Sequence, residues 1–119
     1  MTLDPCPDSP NCVSTQADPS DTGHYIAPVA YSGEASAVIA AIEDAVSSNG
    51  GSVVSSTDLT VKALYVTKLL KFKDDVDFAL DDEAKLIHFR SASRVGHSDL
   101  GANRKRMDAL MPKIFARLG

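Results

Sequence analysis

Between Glu34 and Ser47 the apolar positions recur with the period of a helix. At 100° per residue Ala35, Val38, Ile39, Ala41, Ile42, Ala45 and Val46 fall in one arc of about 160°, with Ser36, Glu43, Asp44 and Ser47 opposite. Ser32 offers an N-cap, and Asn49-Gly50-Gly51 supplies residues that tolerate the left-handed conformation ending such a helix. The period then changes to two. Strands are predicted over Ser52–Ser56, Thr60–Leu70, Val76–Leu80 and Leu86–Ser91, the third alternating Val76, Phe78 and Leu80 with Asp75, Asp77 and Ala79. Asp81-Asp82-Glu83 reads as the turn into the fourth strand.

Helical spacing returns near the C-terminus. From a start at Ser98 or Asp99, the residues Leu100, Met107, Leu110, Met111, Ile114, Phe115 and Leu118 form one stripe. Pro112 lies outside the stripe and is expected to kink the helix after Asp108. Residues 1–23, dense in Pro, Asp and Ser, predict an irregular arm, and His24–Tyr31 around Pro28 predicts an extended edge segment. This order, a helix, a run of strands and a helix, predicts an α+β fold. It would have an antiparallel sheet of about four to five strands, two helices on one face and a single domain over residues 24–119.

Charge is divided unevenly along the 119 residues. Residues 1–61 carry eight carboxylates and no Lys or Arg, residues 62–119 eight carboxylates and twelve bases, so the halves stand at -8 and +4 within a net -4. An acidic chain with few aromatics disfavours non-specific nucleic-acid binding, and no nucleic-acid partner is expected. No apolar run reaches the 18 or so residues of a membrane span, and Met1-Thr2-Leu3-Asp4-Pro5 lacks a signal-peptide pattern. As given, the chain reads as soluble and cytoplasmic, or extracytoplasmic if a leader has been removed.

Candidate chemistry gathers between Arg90 and Arg106. That stretch leaves a strand and enters a helix start, where unpaired backbone N–H groups sit beside arginines and serines, the composition of an anion site. The candidate ligand-binding residues are Arg90, Ser93, Arg94, His97, Ser98, Asn103 and Arg104. Asn103 and Arg104 fall inside the apolar arc of the helix, so they require polar partners. Asp74, Asp75 and Asp77 are the candidate partners in structural ion pairs, with Arg94 or Arg104 meeting Asp74 or Asp75. If that pair is buried, Asp75→Asn costs about 3–5 kcal/mol.

Cys6 and Cys12 bracket a short loop. They read as a disulfide or as inert thiols, with a reactive thiol using His24 or His97 as base, or a metal ligand, as alternatives. His88 alternates with Leu86 and Arg90 on a strand and reads as a half-buried hydrogen-bonding residue, and His97 as a loop residue suited to acid–base work. Gly-x-Ser-x-Gly, Walker A, His-Glu-x-x-His and Gly-x-Gly-x-x-Gly patterns are absent, and no catalytic residue, metal or cofactor is expected.

Three blocks together carry a resemblance: Cys6-Pro7-Asp8-Ser9-Pro10-Asn11-Cys12-Val13-Ser14-Thr15-Gln16, Phe72–Phe78 around Asp74-Asp75, and Arg90–Arg106. The chain resembles the bacterial, algal and plant family catalogued as domain of unknown function 1499, from Cys6 to about Leu118. Members of that family often follow a lipoprotein signal, a membrane segment or a plastid-targeting region, which implies that the Cys6/Cys12 loop lies outside the reducing cytosol. The sequence departs from the family pattern at Thr15, Lys73 and His97, and the family supplies no functional residues to carry over.

The residues themselves favour a non-enzymatic binding module for a small anion or anionic headgroup at Arg90–Arg106. The alternative is a structural or protein-interaction domain whose arginines pair with Asp74 and Asp75. A thiol-dependent or hydrolytic enzyme using Cys6 or Cys12 with His97 is the third reading.

Overall fold

A computed structural model describes residues 2–68, 71–95 and 101–118. Among them, strands β1 (Cys12–Ser14) and β2 (Val29–Ala30) precede helix α1 (Ala35–Ser48). Strands β3 (Gly51–Ser56), β4 (Thr60–Val66), β5 (Lys73–Asp81) and β6 (Leu86–Ser93) follow, and helix α2 (Ala102–Ala116) closes the chain. The fold is α+β, with an antiparallel sheet in the order β1-β6-β5-β4-β3 and β2 also on β6.

The described strands number six, close to the four to five expected, with the outer edge of β6 recruiting two pieces of the N-terminal region. Cys12–Ser14 pairs with Arg90–Ala92, and Val29–Ala30 pairs with Leu86–Ile87. Between them Thr15 takes over, its N–H donating to Phe89 O at 3.0 Å and its hydroxyl accepting from Phe89 N at 3.0 Å. An exposed edge beside β6 would leave a row of backbone groups unpaired, and this covers it. The arm expected to be irregular is thus partly strand. Proline density breaks its regularity on either side of Cys12–Ser14 without preventing three residues from pairing.

Strand boundaries shift with the register. β4 stops at Val66, and Leu69 and Leu70, expected in the strand, lie outside the described residues. Lys71, at φ 57°, turns the chain there, while Thr67 closes the hairpin by donating its N–H to Phe72 O at 2.9 Å and accepting from Phe72 N at 2.9 Å through its hydroxyl. β5 begins three residues earlier than its apolar alternation suggests. Tyr65, Asp74 and Ser93 stand side by side across β4, β5 and β6.

Val61 and Ala63 on β4, Val76, Phe78 and Leu80 on β5, and Ile87 and Phe89 on β6 share the face covered by both helices. Phe78 opposes Phe89 in the register, with ring centroids 6.5 Å apart. Burying each such side chain contributes about 1.5–3 kcal/mol over leaving it in water. Val38, Ile42, Ala45 and Val46 of α1 and Met107, Leu110 and Ile114 of α2 complete the core, at the positions their spacing selects. Arg117 pairs with Asp44, and Lys113 donates to Asn49 at 2.9 Å, tying the helices together.

The N-terminal ends of both helices depart from expectation, while Asn49 and Gly50, the latter at φ 90°, end α1 as expected. Gly33, at φ 85°, turns the chain after Ser32, so the N-cap of α1 is Glu34, which makes no side-chain capping bond. Gly101, at φ 79°, occupies the N-cap of α2, and Ser98 and Asp99, expected there, lie outside the described residues. Helix α2 runs on through Pro112 to Ala116.

Candidate functional site

The first turn of α2 meets the sheet through a buried polar cluster. Asn103 is fully buried, and Asn103 Nδ2 donates to Asn11 O at 3.1 Å and to Ser93 Oγ at 3.0 Å. Its Oδ1 accepts from Ser91 Oγ at 2.6 Å and from Arg106 Nη1 at 2.9 Å. Arg106 Nη2 donates to Asp74 Oδ2 at 2.6 Å, and its guanidinium lies 4.8 Å from the ring centre of Tyr65. Asp74 is only 2% exposed, because it shares the inward face of β5 with Val76 and Phe78. Its Oδ1 and the Tyr65 hydroxyl are buried with no hydrogen-bond partner among the described residues. Burial pushes the Tyr65 phenol above its ordinary range.

On the opposite, helix-free face the charges alternate. Arg94 meets Asp75 in a two-pronged pair, Nε to Oδ2 at 2.8 Å and Nη2 to Oδ1 at 2.9 Å. That hydrogen bond holds the Asp75 carboxyl below its usual range. The partners are 48% and 39% exposed, so the large cost that burial would attach to Asp75→Asn does not apply. Lys62 reaches Asp77 at 3.3 Å. Arg90 Nη2 donates to Pro5 O at 3.3 Å, which brings the N-terminal segment onto this face, while its Nε is buried with no hydrogen-bond partner among the described residues. A cavity of about 310 Å³ opens beside Lys62, Arg90 and Arg94, and Asp4, Asp75 and Asp77 line it too.

Residues expected to act together therefore separate. Arg94 faces the open side of the sheet, whereas Asn103 and Ser93 meet beneath α2. Arg104 reaches neither Asp74 nor Asp75 and donates instead to the carbonyl oxygens of Tyr25, at 2.8 Å, and Thr22, at 3.4 Å. His97 and Ser98 lie outside the described residues.

The arm is fastened by covalent and polar links. Cys6 and Cys12 form a disulfide, so a thiol mechanism has no thiol while that bond stands. His24 bridges Asp21 Oδ2 at 2.7 Å through Nδ1 and Ser9 O at 2.8 Å through Nε2. Both partners only accept, so the doubly protonated ring is the form that satisfies both, and its pKa is raised, first by the Ser9 carbonyl and then by Asp21. His88 Nδ1 lies 2.9 Å from Thr15 Oγ1.

A feature that the sequence reading passed over lies at one end of the sheet. The hairpin joining β4 to β5 exposes Val66 and Phe72, 45% and 41% accessible, and Val95, 54% accessible, follows β6 at the same end. Arg94 N donates to Lys73 O at 2.9 Å and so holds the strand ends together. Lys68, Lys71 and Lys73 are all exposed beside them. The available signal was the interleaving of cations with apolar residues through Lys68-Leu69-Leu70-Lys71-Phe72-Lys73.

The family model described as "Protein of unknown function (DUF1499)" matches residues 2–114. The chain belongs to this family. The match to DUF1499 takes in the disulfide loop, the Asp74–Arg106 contact and the cation-rimmed hairpin alike. No curated protein and no solved structure matches the chain. Among the described residues no helix is long and apolar enough to cross a membrane, and no group of three or more His, Cys, Asp or Glu is placed to hold a metal.

Proposed function

We propose that the protein is a non-enzymatic binding module that docks on an anionic partner through the end of the sheet formed by the β4–β5 hairpin and the end of β6. The observation that carries this reading is the exposure of Val66, Phe72 and Val95 beside three lysines. Within residues 66–75 the only carboxylates are Asp74 and Asp75, and both are held by arginines. The lysines are the charges left over. Exposed apolar groups rimmed by one sign of charge mark interaction surfaces.

Retention on an immobilised polyanion such as polyglutamate tests the reading. The full chain should be held at low salt, and Lys68→Ala/Lys71→Ala/Lys73→Ala should elute early with an unchanged melting temperature. Equal retention of the triple variant removes the reading.

A second reading keeps the small anion on the open face, at Arg90, Arg94 and Lys62. It is favoured by the unpartnered Arg90 Nε and opposed by the three aspartates of the same cavity. Thermal shift with phosphate and sulfate tests it, and no stabilisation at millimolar anion discards it.

A further inference from the structure

We infer that the anionic partner is the surface of a lipid bilayer, into which Phe72, Val66 and Val95 dip at headgroup depth; this rests on the reading of the sheet end as a docking surface. Several observations converge. Val66 ends β4, Phe72 stands one residue before β5 and Val95 two residues after β6, so the three exposed apolar residues lie at the same end of three neighbouring strands. Along the chain Lys71 and Lys73 flank Phe72 directly, and Lys68 follows Val66 by two residues. Lysine stems lie along apolar surface while the ammonium groups stay in water, so apolar insertion and phosphate contact occur at once.

An acidic protein surface satisfies the cations but leaves the apolar groups facing charge, whereas a membrane interface offers both environments within a few ångströms of depth. The distribution of charge over the sheet supports the same orientation. Its opposite end, formed by the β3–β4 and β5–β6 turns, carries Asp58, Asp81, Asp82 and Glu83 against Lys85. These turns stand roughly 25 Å from the lysines, given about 3.3 Å per strand residue. That separation exceeds the Debye length of about 8 Å at physiological salt, so an anionic surface attracts the lysine end while the carboxylate end is screened from it.

The chain contains no tryptophan, which makes Phe72→Trp a clean reporter. The full chain should co-sediment with phosphatidylcholine vesicles only when phosphatidylserine is added, and Phe72→Trp should then show a blue-shifted emission. Replacing the three lysines by alanine should weaken binding about a hundredfold, at about fivefold per cation near an anionic surface. Phe72→Ser should weaken it with the lysines intact, and molar salt should release the protein. Lysine-dependent retention on polyglutamate without vesicle binding overturns the bilayer while leaving the docking surface standing. Vesicle binding with neither a blue shift nor an effect of Phe72→Ser also overturns insertion. Loss of lysine dependence in both assays removes the surface and the bilayer together.

Discussion

Arg106 reaches across from α2 to hold Asp74 at 2.6 Å on the inward face of β5, where the carboxylate is 2% exposed. This ion pair sits over the Tyr65 ring and joins the Asn103 cluster, so the entry of α2 is positioned by polar groups. Removing one partner leaves the other charge buried. Arg106→Met should therefore cost about 3–5 kcal/mol in urea unfolding, and Arg106→Met/Asp74→Leu should recover much of the loss. A cost below about 1 kcal/mol for the single variant would show the pair to be solvated.

Arg94 and Asp75 give the contrasting case on the open face. Asp75→Asn should cost about 0.2–1 kcal/mol, because both side chains remain accessible. The Asp75 carboxyl is held low, so its contribution is complete above the ordinary value of 3.8 and disappears as pH falls through the depressed one. Urea midpoints of wild type and Asp75→Asn should converge in strong acid.

His24 should make stability depend on pH in the other direction. Its pKa is raised, so the contribution is complete below the ordinary value of 6.5 and is lost as pH rises through the elevated one. Deprotonation removes one of the two donors that clasp Asp21 and Ser9. Wild type should be destabilised between slightly acid and alkaline pH, and His24→Gln should flatten that slope. A slope unaffected by the substitution would exclude the clasp.

Cys6 and Cys12, six positions apart, close a small loop. Cys6→Ser/Cys12→Ser should lower unfolding free energy by about 2 kcal/mol on the loop-entropy relation. The loss should include the anchor that Asn11 O gives to Asn103 and to Ser93 N. Hydrogen exchange at Ser93 should rise, and unchanged protection there would confine the disulfide's effect to the loop.

Gly51 lies against the Tyr65 ring. A Cβ there would come within 2.6 Å of Tyr65 Cζ and 2.7 Å of Val46 Cγ1, both in packed surroundings. Gly51→Ala should cost about 1–3 kcal/mol as overpacking. The melting temperature decides it, and an unchanged value would mean that the ring shifts freely.

Local patterns determined much of this molecule. The 100° period of Ala35–Ser48 and the alternation of Val76, Phe78 and Leu80 depend only on which side of an element meets water, and both hold in the fold. Asn103 announced a polar partner by standing in an apolar arc. The sequence could not name that partner, because Asn11, Ser91 and Ser93 approach it only after β1 and α2 dock on β6. Asp74 was legible as a carboxylate and not as a buried one: its inward position depends on β5 beginning at Lys73, which the register with β4 and β6 decides.

The division of charge along the chain followed the same rule. Composition determined that every lysine and arginine comes after residue 61. Tertiary structure decided their employment: Arg94 and Arg106 are drawn to aspartates and Arg104 to carbonyl oxygens, while the hairpin lysines face outward among exposed apolar residues. Long side chains choose their partners by distances that exist only after strands from both halves of the chain lie side by side. Periodicity along one segment cannot encode them.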